Sequence, residues 1–288
     1  MRLAKTRLAK TLAVALVAAF AATGAIAQDK SWKSVRIATE GAYAPYNFMG
    51  PDGKLQGFEV DLAHELCRRM EATCEVVAQD WDGIIPALQA GKYDAIMAGM
   101  NVTAKRKEVI DFSRPYTREA NGLGAELSGP LGKLPDSDKR VDLSKDTPDN
   151  KAVIERLRAA LKGKTVGVQV STIHANFVDQ YLKGAVEVRE YKTTEQHDLD
   201  LLAGRVDAIF ASNASERSTF EKPDFKDYGL VGPKFYGGVF GEGVGVGLRK
   251  GDSELKAKFD KAIGDALADG TLKTLALKWF KVDTTPQG

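Results

Sequence analysis

The 288-residue chain holds two cysteines and three histidines, a scarcity that closes off several chemistries. A metal site needs ligands gathered in number, and the only histidine near either cysteine is His64, one turn before Cys67 on a helix. His174 and His197 have no evident serine–acid partnership, so a nucleophilic triad is not expected. His197-Asp198 with Asp200 imitates a metal cluster but reads as an ordinary solvated helix start. Charge of one sign is also lacking: the formal net charge is +2, which leaves no electrostatic footprint for nucleic acid. Low-complexity tracts are missing, and the most apolar run, residues 12–22, is too short to span a bilayer as a helix.

That run belongs to a recognisable leader. Arg2, Lys5, Arg7 and Lys10 form a basic head, and Ala25-Ile26-Ala27 is a small-x-small cleavage site. Residues 1–27 therefore read as a secretory signal peptide, with the mature chain beginning near Gln28 and no lipid-anchor cysteine after the cut. Removal of the four basic residues takes the formal charge from +2 to −2. In an exported protein, Cys67 and Cys74 are most simply read as one disulfide, worth roughly 2–3 kcal/mol for so small a ring.

The chain is organised around residues 94–106, DAIMAGMNVTAKR. An apolar strand ends in Gly99, and Thr103 then reads as the N-cap of a helix whose third position is Arg106. Backbone N–H groups at such a junction attract an anion, and the Arg106 fork suits a carboxylate held there. Upstream, residues 35–39 form a strand broken by a loop at 40–46, and residues 51–54 form a turn. Leu62, Leu66 and Met70 mark a helix, residues 75–78 a strand, and 83–90 a helix closed by Gly91. Downstream, residues 128–150 read as an exposed polar excursion. Val153, Leu157 and Leu161 then mark a helix, and residues 165–168 a strand. Ser171 or Thr172 caps a helix holding Ile173 and Phe177. The alternation repeats through a strand at 186–191, a helix through Leu199 and Leu202, and a strand at 206–211. A glycine-rich strand at 243–248 precedes helices at 253–267 and 271–280.

An internal repeat carries the domain organisation. Leu88-Gln89-Ala90-Gly91-Lys92-Tyr93-Asp94-Ala95-Ile96 matches Leu201-Leu202-Ala203-Gly204-Arg205-Val206-Asp207-Ala208-Ile209. Two lobes of like topology set strand ends opposite each other across a cleft. The expected boundaries are 33–120 for lobe one, 121–236 for lobe two, and 237–283 for a return to lobe one.

With these pieces in place, the sequence resembles the periplasmic amino-acid-binding proteins of ABC transporters, solute-binding family 3. The resemblance rests on TEGAYAPYNF, GFEVDLAHELCRRM, WDGIIPALQAGKYDAIMAGMNVTAKRKEVIDFS and GVGVGLRKGDSELKAKFDKAI. Within the family the chain looks most like the octopine- and nopaline-binding branch, near the lysine/arginine/ornithine and histidine binders. The resemblance implies an α/β, two-lobed type II periplasmic-binding-protein fold, each lobe a mainly parallel sheet flanked by helices, with the ligand in the cleft. It implies no cofactor, no metal and no catalytic residue. It further implies a monomer in the periplasm that serves an inner-membrane permease, and the family disulfide falls on Cys67–Cys74.

Residue by residue, the family's basic-side-chain pocket falls on Glu40, Tyr43 and Trp81, where a carboxylate and two aromatic faces suit a guanidinium. The carboxylate anchor falls on Arg106, helped by Asn101, Thr103 and the backbone at Ala98 and Gly99. From lobe two, Gln169, Ser171 and Thr172 close onto the ligand, and His174 is a candidate donor to a further carboxylate. Where the family commonly has an acid to accept the α-ammonium, this chain has Ser212 followed by Asn213. It also has Ala98, Gly99 and Asn101 where the family often has hydroxyls, and Val170 in place of a usual glycine. A neutral Ser212 is a poor partner for a primary ammonium, which favours an N-substituted amine such as an opine. The alternatives are a plain arginine/lysine/ornithine/histidine binder and a periplasmic enzyme on the same fold.

Overall fold

The computed structural model describes residues 32–286; the leader and its cleavage point lie outside them. In β1 (Ser34–Thr39) Val35 and Ile37 are fully buried with exposed Arg36 between them, and Ala38 and Thr39 continue the buried run. The turn at 51–54 sits in a small three-stranded sheet, β2 (Ala42–Tyr43), β3 (Asn47–Met49) and β4 (Leu55–Gln56). Helix α1 (Phe58–Arg69) turns Leu62, Ala63 and Leu66 into the core, and its Cys67 is bridged to Cys74 of β5 (Thr73–Ala78). Thiol titration of unreduced, denatured protein should therefore find no free thiol. Two free thiols would refute the bridge.

Then come α2 (Ile84–Gln89), β6 (Ala95–Ile96), α3 (Ala104–Lys107) and β7 (Asp111–Phe112). The order continues with β8 (Asn121–Glu126), β9 (Arg140–Asp142), α4 (Pro148–Ala160) and β10 (Thr165–Gln169). Next are α5 (Ile173–Phe177), β11 (Glu187–Tyr191), α6 (Thr194–Leu202), β12 (Ala208–Ser212) and α7 (Asn213–Phe220). Strands β13 (Tyr228–Tyr236) and β14 (Gly247–Leu248) precede α8 (Ser253–Ala268) and α9 (Thr271–Phe280).

Two sheets organise these elements. The first runs β5-β1-β6-β14-β7 and is parallel across β5, β1 and β6. The second runs β11-β10-β12-β8-β13-β9 and is parallel across β11, β10 and β12. In each, antiparallel strands extend the other side: β14 in the first, β8 in the second. Each sheet has its own apolar core, one around Phe58, Leu62 and Phe259, the other around Phe177, Phe210 and Phe235. The chain crosses between the sheets twice, after β7 and before β14. The crossovers lie side by side, Tyr116 N donating to Val244 O and Val244 N to Thr117 O, both at 2.8 Å.

The repeated motif does the same work in both sheets. Gly91 and Gly204 close their helices with φ of +75° and +67°, a left-handed cap that suits glycine. Asp94 Oδ2 then accepts from Arg36 N of β1 at 3.0 Å, as Asp207 Oδ2 accepts from Thr165 N of β10 at 2.8 Å. The other oxygen of each aspartate meets a cation: Arg249 at 3.2 Å and Lys164 at 3.1 Å. Each aspartate thus locks the register of a central parallel pair.

Three expectations change in detail. The excursion at 128–150 is not simply exposed, because Leu131, Leu134 and Val141 are buried and β9 pairs parallel with β13. Helix α6 forms as read, but Leu199 and Leu202 face solvent, and Thr194, His197, Asp198 and Leu201 face the core. The glycine-rich strand contracts to Gly247–Leu248; its earlier residues serve as crossover.

Candidate functional site

The carboxyl ends of β1 and β6 face those of β10 and β12, and the loops that follow converge. Glu40, directly after β1, is buried and accepts a 2.6 Å hydrogen bond from Gln169 Nε2, the last residue of β10. The same amide donates to Lys192 O at 2.9 Å, so both of its hydrogens are committed and the two sheets are joined there. Desolvation pushes the Glu40 carboxyl up to about 7; the Gln169 bond opposes this, and the charges of Glu59, Asp80 and Asp82 add to it.

Arg106 follows from local folding. Thr103 caps α3, its hydroxyl accepting from Arg106 N at 3.3 Å. That cap turns the Arg106 side chain into the cleft, where Nη1 donates to Asn101 O at 3.0 Å and the guanidinium lies 5.2 Å from the Trp81 ring centroid. Burial pulls its pKa down to about 10, so it stays charged at neutral pH. No carboxylate lies within 4 Å of it among the described residues, and a desolvated guanidinium without a counter-ion is a prepared anion site.

A cavity lies between these groups, lined by Glu40, Tyr43, Trp81, Ala98, Gly99 and Asn101 from one side and by Gln169, Thr172, Ile173 and His174 from the other, with Arg106 among them. Its volume is about 20 Å³, room for roughly one water. A ligand of amino-acid size therefore enters only when the two sides part. A second bond between the sides, Thr194 Oγ1 to Ala42 O at 3.2 Å, must open as well.

Of the twelve expected ligand residues, nine line this cavity. Thr103 and Ser171 line an outer groove of about 840 Å³ that shares Arg106 and Ile173 with the inner cavity. Ser212 lies behind the wall: its hydroxyl accepts from Ser215 N at 3.2 Å as the cap of α7. Asn213 is buried, with Oδ1 unpartnered among the described residues. Tyr43 stacks on Tyr46, with centroids 5.2 Å apart and planes 9° apart, so one of its faces is already covered. Trp81 likewise carries Arg106. The expected sandwich of Tyr43 and Trp81 is thus offset in this closed arrangement.

The backbone at Gly99 also serves differently. Its N–H donates to both oxygens of buried Glu59, at 2.7 and 3.0 Å, and points away from the cavity. A β-carbon there would lie 2.8 Å from Tyr43 Cε1, so no hydroxyl-bearing residue fits while Tyr43 holds its place. His174 donates its Nε2–H inside the second lobe, to Asn121 Oδ1, and not to a ligand carboxylate as expected. Asn121 Nδ2 donates to Phe235 O at 3.4 Å, which turns Asn121 Oδ1 toward His174 Nε2 at 2.8 Å and leaves Nδ1 unprotonated. Burial first, then the charges of His197 and Arg106, hold His174 down to about 3.

The residues 35–282 match the bacterial extracellular solute-binding proteins, family 3. The chain belongs to that family. Among its relatives, the octopine-binding periplasmic protein of Rhizobium meliloti is 49% identical over 272 residues, covering 88% of this chain and 92% of the relative. The L-arginine-binding protein of Pseudomonas aeruginosa is 37% identical over 258 residues, covering 87% and 89%. A solved periplasmic His/Glu/Gln/Arg/opine family-binding protein from Silicibacter pomeroyi, in complex with lysine, is 36% identical with a TM-score of 0.69, covering 87% of this chain and 99% of that one. The two-lobed type II fold of the family is the fold described above. Among the described residues no helix is long and apolar enough to cross a membrane, and no cluster of three or more acidic, histidine or cysteine side chains suits a metal ion.

A cation-binding role for Glu40, as expected from the sequence, predicts a pH response. A cationic ligand needs the carboxylate, and a carboxyl that titrates at about 7 must first lose its proton. Affinity should therefore rise with pH through 7 and fall about tenfold per unit well below it. Calorimetry with arginine at pH 5.5, 6.5 and 8 tests this; a flat profile would remove Glu40 from the cation pocket.

Proposed function

We propose that the protein is the periplasmic substrate-binding component of an ABC importer and that it captures a basic amino acid or its opine derivative. The observation that carries this is the pairing in one cavity of a buried carboxylate, Glu40, with a guanidinium that has no carboxylate of its own, Arg106. Such a pair suits a ligand with a cationic end and a carboxylate end. We draw the first lobe at 33–120 with a return at 237–283, the second at 121–236, and read the protein as a binding protein rather than an enzyme. Glu40 meets an amide, Gln169, and not a nucleophile.

The ligand docks on the first lobe, with its carboxylate on Arg106 and its cation on Glu40 beside Trp81. The second lobe closes with Gln169 and Thr172, and the Gln169 amide shares or yields Glu40 to the incoming cation. The closed form is what an inner-membrane permease recognises, and the protein works as a monomer. Micromolar affinity requires about 8 kcal/mol net. One charge-assisted carboxylate contact and one desolvated guanidinium contact, each worth a few kcal/mol, reach that scale once closure expels water.

A free α-ammonium finds the neutral Ser212 hydroxyl already capping α7, which supports an N-substituted amine. We therefore expect octopine or nopaline to bind at least tenfold more tightly than arginine. A thermal-shift screen of arginine, ornithine, lysine, histidine, octopine and nopaline tests the reading, because a ligand bound only by the native state raises the melting temperature. No shift with any of the six defeats the proposal. A larger shift with arginine than with either opine removes the opine preference alone.

A further inference from the structure

Glu59 is 1% exposed in the first turn of α1, and its carboxylate gathers donors from three separate parts of the first sheet's surroundings. Asn47 Nδ2 of β3 donates to Oε2 at 2.6 Å. Gly99 N, in the turn after β6, donates to both oxygens. The Tyr116 hydroxyl, from the crossover after β7, donates to Oε1. Among the described residues no cation lies within 4 Å of it, so these donors alone hold the charge. A buried carboxylate held only by hydrogen bonds is costly to keep and sensitive to the loss of any one donor.

The three donors have different duties. Asn47 Oδ1 also accepts from Gly41 N at 2.7 Å, next to Glu40. Gly99 lines the ligand cavity and abuts the Tyr43 ring. Tyr116 is fully buried against Phe58, at 6.1 Å between centroids, and its backbone pairs with Val244 of the second crossover. Residues on which the cavity depends and a residue of the interlobe crossover thus meet on one carboxylate. We propose that Glu59 is a positioning residue for ligand binding, tying the Gly99 turn and the Glu40 loop to the crossover so that closing the lobes sets the cavity's geometry. This rests on the binding-protein reading above and adds a residue that touches no ligand.

Two variants test it, with arginine and octopine as the probes. Tyr116→Phe removes one hydroxyl, keeps the ring packing, and leaves the Gly99 and Asn47 bonds in place. Its affinity for both ligands should fall five- to twentyfold, mainly through faster dissociation. Glu59→Gln should fall further, and the double variant should bind no more weakly than Glu59→Gln alone, because both changes break one unit. Glu59→Gln should also move the pH midpoint of binding to lower pH, since the Glu59 charge is among those that raise Glu40; the positioning role is therefore read from affinity at pH 8, where Glu40 is ionised in both proteins and this charge effect no longer contributes. The inference is overturned if Tyr116→Phe binds as wild type does, if the two losses multiply independently, or if melting temperatures drop while affinities hold. Should Glu59→Gln fail to fold, Tyr116→Phe decides by itself. If wild type binds neither probe, the binding-protein reading goes and this inference with it; if wild type binds and Tyr116→Phe matches it, only this inference goes.

Discussion

Arg106→Ala should abolish binding of every carboxylate ligand, a loss of about 3–5 kcal/mol that carries a micromolar affinity out of reach of calorimetry. The size follows from burial. The ligand's carboxylate enters a cavity otherwise lined by Glu40, aromatic rings and amides, and without Arg106 it lies desolvated beside a like charge. Arg106→Lys should recover only part of the loss, because a point charge on a flexible stem neither reproduces the fork nor keeps the bond to Asn101 O. Folding should survive both changes, since Thr103 caps α3 through the backbone N–H of residue 106. An affinity within threefold of wild type in Arg106→Ala would show that the carboxylate sits elsewhere.

Glu40→Gln should be nearly as severe, but only for cationic ligands. The amide cannot neutralise a guanidinium, and an unpaired cation in this cavity costs about 3–5 kcal/mol by the same argument. Two signs separate this from general damage. The pH dependence between 6 and 8 should vanish, because the group that titrates at about 7 is gone. The melting temperature of the ligand-free variant should not fall at pH 8. A carboxyl raised from its ordinary value weakens the closed state as pH climbs above that ordinary value, so replacing it by a neutral amide relieves the penalty. A Glu40→Gln protein that still binds arginine with wild-type affinity, or that keeps the pH midpoint, would separate Glu40 from the cation.

Much of this architecture could be read from residue patterns, and the reason is local. The glycine-capped helix end and the Asp-Ala-Ile strand are each specified within a few residues, so both copies of the repeat fold as their sequence suggests. Thr103 as cap and Arg106 at the third helical position follow from the same short-range rules, and the cavity collects most of the expected ligand residues. What was not legible depends on partners distant in sequence. Glu59 looks like an ordinary first-turn acid placed for the helix dipole, and only the fold brings Gly99 and Tyr116 to it, 40 and 57 residues away. His174 is lost as a donor to ligand only because Asn121, 53 residues earlier, accepts its Nε2–H. Ser212 reads as available in sequence, but the fold uses its hydroxyl to cap α7. Leu131, Leu134 and Val141 lie in a polar stretch whose apolar residues have no regular period, which hid the edge strand β9.

The central claim is that one cavity reads a cation at Glu40 and a carboxylate at Arg106 together, and a pair of near-isosteric ligands tests it most directly. Citrulline matches arginine in length and α-substituents but carries a neutral ureido group in place of the guanidinium. Calorimetric titration of wild-type protein with both at pH 8 should show arginine binding at least 100-fold more tightly, the difference of about 3 kcal/mol expected for a desolvated charge pair. At pH 6, with Glu40 largely protonated, the ratio should shrink several-fold. Citrulline binding within threefold of arginine at pH 8 would contradict the account.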